Sequence, residues 1–177
     1  MKAVGVLILL AAASLSSTLP KVSLPMSSSS ARSPRASWEG LAIVVNRNNP
    51  TSNVSLPQLR AIYVGDRKWW SSRRRIALVS MQRNTPEWQT ALRVIYKMDS
   101  RELDRYFLYQ SFKGEHFAGP TTLAAAAEVR KFVVSTPGAV GYLRESDVDD
   151  SVKVLRVNGL LPGDDGYPLR LRVRRPK

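Results

Sequence analysis

The chain contains no cysteine among its 177 residues. It therefore has no disulfide, no thiolate metal site and no lipidated cysteine for attachment to a membrane. Stability has to come from an ordinary hydrophobic core. With 44% hydrophobic residues, the chain has enough apolar material for one compact domain but is too short for two full domains.

Residues typical of catalytic sites are equally scarce. The one histidine, His116, follows a glutamate in a predicted loop, and such a pair is typical of an exposed surface. Ser135 lacks the Gly-x-Ser-x-Gly motif of a hydrolase nucleophile. The aspartates within residues 147–150 lack the spacing of a calcium loop. The sequence thus predicts a protein that is not an enzyme and has no catalytic residue, metal site or cofactor.

No apolar run reaches the roughly 20 residues that are needed to span a bilayer. The run at residues 3–13 is shorter, follows Lys2 and precedes small polar residues, which is the pattern of a secretory signal peptide. We expect a signal peptide over residues 1–18, with small residues suitable for cleavage at both 11–13 and 15–17. An uncleaved N-terminal helix is the alternative. Export to the periplasm, without a stable membrane anchor, follows from this prediction.

Low complexity marks the next segment. Residues 19–37 are rich in Ser, Pro and Arg and show no hydrophobic period, so we expect a disordered leader. The folded domain is predicted over residues 38–177.

Negative charge is also scarce, because 14 acidic residues face 27 lysines and arginines, giving a net charge of +13. The basic residues concentrate around Trp69 and Trp70 in residues 67–75, and again in residues 170–177. A basic loop with aromatic residues can bind single-stranded nucleic acid. However, no nucleic-acid-binding motif accompanies it, and export separates it from nucleic acid. We expect an exposed loop, and nucleic acid is not the expected partner.

Short apolar runs alternate with helical patterns along the predicted domain. Strands are predicted near residues 41–45, 75–81, 139–143, 152–157 and 169–173. Helices are predicted to begin after polar capping residues, namely Ser55, Thr85, Asp99, and Thr121 or Thr122. This alternation indicates an α/β fold with a central mixed or mostly parallel sheet flanked by about four helices.

A candidate binding site lies between the second predicted strand and the helix that follows it. Free N–H groups at the start of a helix attract anions, and the side chains of Arg83, Asn84 and Thr85 add further donors. A structural cap without a ligand is the alternative. Asn46 and Asn48 follow the first strand, and we expect them to line the same rim if that strand lies beside the second.

Five motifs in a fixed order carry a resemblance to a known family. They are residues 46–50, the Ser55-Leu-Pro-Gln-Leu-Arg-Ala-Ile-Tyr-Val-Gly65 segment followed by two tryptophans, residues 106–114 with Phe-Lys-Gly, the Thr136-Pro-Gly-Ala-Val-Gly-Tyr142 segment, and the Gly166-Tyr-Pro-Leu-Arg170 segment. Over residues 41–170 the chain resembles the second lobe of the substrate-binding proteins of phosphate ABC transporters. It is most similar to the short single-lobe members grouped with them.

The resemblance implies a type II periplasmic-binding-protein fold, in which two lobes close over an oxyanion. In that family this lobe carries an Arg and then Ser-Gly-Thr-Arg at the strand-to-helix junction, whereas this chain has Gln82-Arg-Asn-Thr-Pro86. Asn84 can adopt the left-handed conformation of the missing glycine, and Thr85 keeps a hydroxyl.

Two functions are therefore expected as alternatives. The first is weak binding of phosphate or another oxyanion in connection with ABC-type phosphate uptake. The second is a structural or protein-interaction module of the cell envelope, which uses its basic surface to bind a protein partner.

Overall fold

The computed structural model describes residues 37–112 and 119–173. The predicted signal peptide, the leader up to residue 36, His116 and the last four residues lie outside the described residues. Within the described ranges no helix is both long and apolar enough to cross a membrane.

A seven-stranded mixed sheet forms the centre of the structure. Its strands are β1 (Ser37–Val45), β2 (Asn53–Val54), β3 (Ala77–Met81), β4 (Thr121–Leu123), β5 (Ala139–Arg144), β6 (Lys153–Val157) and β7 (Arg170–Val173). The strand order is β2-β6-β1-β5-β3-β4, and β7 pairs with the first half of β1. Strand β1 runs antiparallel to β5, β6 and β7, whereas β3 runs parallel to β4 and β5, and β2 parallel to β6. The predicted α/β class with a mixed sheet is confirmed.

The second half of β1 is buried at every residue. Each of its residues from Leu41 to Val45 is fully buried, because this part pairs with β5 and β6 and is covered by packed side chains on both faces. A strand in that position can be apolar at every residue instead of alternating. By contrast, β7 buries Leu171 and exposes Arg170 and Arg172, the alternation expected of a strand with one solvated face.

Within the described residues four α-helices flank the sheet: α1 (Leu56–Tyr63), α2 (Pro86–Ala91), α3 (Ser100–Phe112) and α4 (Ala126–Ser135). A π-helical turn, Leu92–Tyr96, continues α2. Ser55 and Gln58 form the predicted capping box of α1, and Thr85 caps α2 as predicted. Helix α1 buries Leu59 and Ile62, and α4 buries Val129 and Val133 against the sheet.

The predicted start of the fourth helix is wrong. Thr121 and Thr122 do not cap a helix, because they belong to β4 and pair in parallel with β3. Helix α4 begins at Ala126 instead, and the Glu128 carboxylate accepts the free backbone N–H groups of Ala124 and Ala125 at 3.0 and 3.2 Å. Backbone hydrogen bonds between β4 and β3 satisfy this segment in place of the helix cap that the local sequence predicts.

Candidate functional site

The direction of β1 separates the predicted site residues into two groups. Strands β3 and β5 are parallel, with Leu78 opposite Val140, and β1 is antiparallel to β5, with Val45 also opposite Val140. The carboxyl end of β1 therefore lies at the amino ends of β3 and β5. Asn46 and Asn48 lie at that end, and residues 83–85 lie at the other end of the sheet. The structure does not bring the two groups onto one rim, because β5 lies between β1 and β3 and β1 runs in the opposite direction to both.

The backbone at the carboxyl end of β3 turns sharply into α2. Asn84 has a φ of +70°, the left-handed conformation expected for it. The Thr85 hydroxyl donates to the Gln82 carbonyl at 2.9 Å and accepts the Trp88 N–H at 3.1 Å. Thr85 therefore acts as a structural cap, and its hydroxyl is already engaged on both sides.

Arg83 forms an ion pair with Asp104 of α3. Its guanidinium donates to both carboxylate oxygens, one bond measuring 2.9 Å, and lies 5.8 Å from the ring centre of Trp88. Hydrogen bonding between the two groups raises the pKa of Arg83 and lowers the pKa of Asp104. Both side chains are about half exposed, at 52% and 49%. An anion that binds Arg83 must therefore compete with Asp104 for the guanidinium, at a site that is open to solvent.

A second ion pair at the same end of the sheet joins Glu87, in the first turn of α2, to Arg144, the last residue of β5. The Glu87 side chain is only 4% exposed. The hydrogen bond to Glu87 raises the pKa of Arg144. The other carboxylate oxygen of Glu87 is buried without a hydrogen-bond partner among the described residues. Sequence reasoning missed this pair, because its members are 57 residues apart and only the strand order brings them together.

Asn46 is a structural residue at the opposite end. Its side-chain amide is buried and donates to the carbonyls of Val133 and Val134, near the end of α4, at 3.0 and 2.8 Å. Its side-chain oxygen accepts the backbone N–H of Asn48 at 3.0 Å. The side-chain amide thus holds the loop after β1 against α4, and the side-chain oxygen fixes the turn of that loop, while Asn48 is exposed.

The basic segment at residues 67–75, which we call the Arg/Trp hairpin, reverses the chain direction, and an antiparallel β-bridge between Trp69 and Arg75 joins its two arms. Trp70 is buried and its indole N–H donates to the Gly138 carbonyl at 2.9 Å. Gly138 has a φ of +95°, and a Cβ there would lie 2.3 Å from the Arg75 carbonyl oxygen, so only glycine fits. Arg73, Arg74 and Arg75 are all exposed. The hairpin is therefore anchored by one aromatic residue and presents its arginines to solvent.

Other polar residues singled out in the sequence have structural partners. The Ser135 hydroxyl donates to the Phe132 carbonyl at 3.2 Å. Asp149 pairs with Arg130 and accepts hydrogen bonds from Ser151, which lower its pKa. Within residues 37–112 and 119–173 no group of acidic or histidine side chains is arranged to hold a metal ion.

Comparison with known proteins yields no matching family model. The phosphate-binding protein PstS of Bacillus subtilis (strain 168) is 29% identical over 124 residues, which cover 70% of this chain and 37% of PstS. The alignment therefore spans little more than a third of that protein.

Several solved structures share the fold. A protein from Clostridium perfringens, described as a phosphate ABC transporter substrate-binding protein with bound phosphate, superposes with a TM-score of 0.63 at 21% identity, covering 78% of this chain and 56% of that one. PstS from Borrelia burgdorferi gives 0.61 at 13% identity, covering 77% and 56%. An ABC-type phosphate transport receptor from Vibrio cholerae gives 0.58 at 22%, covering 77% and 55%. The chain is therefore similar to PstS over little more than a third of that protein, and it shares the fold of these phosphate-binding structures over about half of their length.

Proposed function

We propose that this chain is an exported, substrate-binding-protein-like domain that binds phosphate or a related oxyanion weakly, in connection with ABC-type phosphate uptake. The observation that carries the proposal is the position of Arg83, a cation beside the left-handed Asn84 where β3 ends and α2 begins. In open α/β sheets, ligands bind at the carboxyl ends of strands. The likeness to PstS and to the phosphate-bound protein from Clostridium perfringens supports the choice of phosphate.

The weakness of the binding follows from what already surrounds Arg83. Asp104 already forms an ion pair with its guanidinium, and the Thr85 hydroxyl already forms the hydrogen bonds that cap α2. The site is half exposed, so a bound anion keeps much of its hydration and each hydrogen bond contributes only its small net free energy. We therefore expect binding and not catalysis, with millimolar rather than micromolar affinity.

Isothermal titration of the folded chain with phosphate, sulfate and a neutral solute tests the proposal. Phosphate should give saturable heat, and should also raise the melting temperature, since a ligand at ten times its Kd stabilises by about 1.4 kcal/mol. Arg83→Gln should abolish the heat, whereas Arg93→Gln removes an equal charge from an exposed arginine ten residues further along the chain and should leave it. No phosphate heat at tens of millimolar ligand, with an unshifted melting temperature, would sink the proposal.

A second function is favoured by the Arg/Trp hairpin. Three consecutive exposed arginines, at 73–75, lie in the same hairpin as Trp69, a residue that is 56% exposed, on a chain of net charge +13. Exposed aromatic and arginine side chains are enriched at protein interfaces. A module of the cell envelope that docks an acidic protein partner through this hairpin fits these features. Affinity for such a partner should fall steeply with added salt, and Trp69→Ala should weaken it. If this second function is the correct one, phosphate and a neutral solute should give the same titration result.

A further inference from the structure

A small cleft lies at the amino ends of β3 and β5, the end of the sheet opposite Arg83. Its volume is about 50 Å³. A cavity needs roughly 10–15 Å³ of such volume to hold one water molecule, so this cleft has room for a group of several heavy atoms. Residues from the loop after β1, from the Arg/Trp hairpin and from the turn before β5 line it: Asn48, Asn49, Pro50, Trp70, Ser72, Arg74 and Gly138.

Asn49 is the feature of the cleft that requires a partner. Only 6% of the residue is exposed. Its side-chain oxygen accepts the Thr51 N–H at 2.9 Å, and its backbone N–H donates to the Asn46 carbonyl at 2.9 Å. Its amide nitrogen Nδ2 is buried and donates to no atom of the described residues. Buried donors are nearly always hydrogen-bonded in folded proteins, so this nitrogen calls for an acceptor.

The charges around the cleft favour an anionic acceptor. The lining side chains offer amide and hydroxyl groups and the Arg74 guanidinium, and they include no carboxylate. Arg74 forms no ion pair with a carboxylate of the described residues. The Lys153 ammonium donates to the backbone carbonyl of Asn49 at 2.9 Å, which brings a second positive charge beside the cleft. Hydrogen bonds between such cations and an anion are stronger than those between neutral groups.

The walls of the cleft are fixed in place before any ligand arrives. The Trp70 indole is held by the Gly138 carbonyl, and the backbone of Trp70 both accepts the Arg73 N–H and donates to the Arg74 carbonyl, at 3.0 and 2.9 Å. On the other side, the Asn46 side chain holds the loop that carries Asn48 and Asn49. A preformed site loses little conformational entropy when it binds.

We propose that this cleft is a binding site for a small inorganic oxyanion of the size of phosphate or sulfate, with Asn49 Nδ2, Ser72 and Arg74 as its donors. It is separate from the Arg83 junction and does not depend on oxyanion binding there, because the two lie at opposite ends of the sheet.

Nuclear magnetic resonance titration of the ¹⁵N-labelled chain with phosphate and with sulfate tests this site. Sodium chloride at matched ionic strength serves as the reference. The side-chain amide signals of Asn49 and the indole N–H signal of Trp70 should shift saturably with either oxyanion, because both residues line the cleft. They should not shift saturably with chloride alone.

Two variants and one control make the test specific. Arg74→Gln removes an exposed cation and should weaken the binding by roughly tenfold, the effect of losing a hydrogen bond to a charged group. Asn49→Asp keeps the oxygen that Thr51 uses but replaces the donor nitrogen with a charged oxygen, and should abolish the binding. Arg73→Gln removes the same charge from a neighbouring arginine that does not line the cleft, and should leave the affinity within about twofold.

The outcomes separate this site from the Arg83 site. Saturable shifts at the cleft that Arg74→Gln weakens and Arg73→Gln does not would support the cleft, whether or not Arg83 responds. Shifts confined to residues 83–85 would overturn the cleft and leave the proposed function standing. Equal weakening by the two arginine variants would also overturn it, because the effect would then be a general one of net charge.

Discussion

Replacing Asp104 with asparagine should increase the affinity of the chain for phosphate. Asp104 holds the Arg83 guanidinium through two hydrogen bonds, so a bound oxyanion has to replace it. Asparagine has nearly the same size but lacks the charge that pairs with Arg83. The substitution therefore frees Arg83 and leaves the helix intact.

Two effects set the size of the increase. The side chains are 52% and 49% exposed, and an exposed ion pair contributes at most about 1 kcal/mol, so releasing Arg83 returns about that much to the ligand. Removing a unit charge about 4 Å from an anionic oxygen in water relieves about 1 kcal/mol more. The sum of about 2 kcal/mol corresponds to a roughly thirtyfold higher affinity at low salt. At 0.15 M salt, where the Debye length is about 8 Å, screening reduces the second effect to about 0.6 kcal/mol, and a roughly fifteenfold increase should remain.

Isothermal titration with phosphate of the unchanged chain and of Asp104→Asn, at low salt and at 0.15 M salt, measures this effect. Asp150→Asn is the matched control, because Asp150 is exposed and the change in net charge is the same. The control should change the affinity by less than about twofold. An unchanged or lower affinity in Asp104→Asn, or an equal rise in Asp150→Asn, would refute the reasoning that Asp104 competes with the ligand for Arg83.

Three further predictions concern stability. Asn46→Leu should cost about 2–3 kcal/mol in urea unfolding, because it leaves the Val133 and Val134 carbonyls of α4 without their donor, the first of them in a buried hydrogen bond and the second in a partly buried one. Asn48→Ala, at an exposed residue, should stay within about 0.5 kcal/mol. Arg144→Met should lower the free energy of unfolding by about 2–3 kcal/mol, less than for a fully buried pair because the Arg144 side chain is 32% exposed. Adding Glu87→Gln should recover part of that loss, because it removes the charge left without a partner, and no recovery would contradict the ion-pair explanation. Burial raises the pKa of Tyr142 to about 12 and that of Tyr63 well above its ordinary value. Because the unfolded chain releases these protons from about pH 10, the melting temperature should be insensitive to these groups below pH 10 and should fall between about pH 10 and 12; a flat profile over that interval would be inconsistent with their burial.

Local features of the fold follow from residues close together in the sequence. Ser55 and Gln58 are three residues apart, and their reciprocal hydrogen bonds start α1 as predicted. Thr85 starts α2 in the same local way. The apolar run at the end of β1 predicts a buried strand wherever the chain places it. The start of α4 was mispredicted because pairing of β4 with β3, more than 40 residues away in sequence, competed with a local cap.

The sequence by itself therefore determined the α/β class and the starts of α1 and α2, because these depend on hydrogen-bonding patterns and hydrophobic periods within a few residues. Only the tertiary structure decided the direction of β1, and with it the separation of Asn46 and Asn48 from Arg83. It also decided that Arg83 faces Asp104 and that Asn46 reaches Val133, contacts between residues 21 and 87 positions apart. Such contacts depend on the order and direction of strands, which chain closure and burial of the whole core select together and no local pattern encodes.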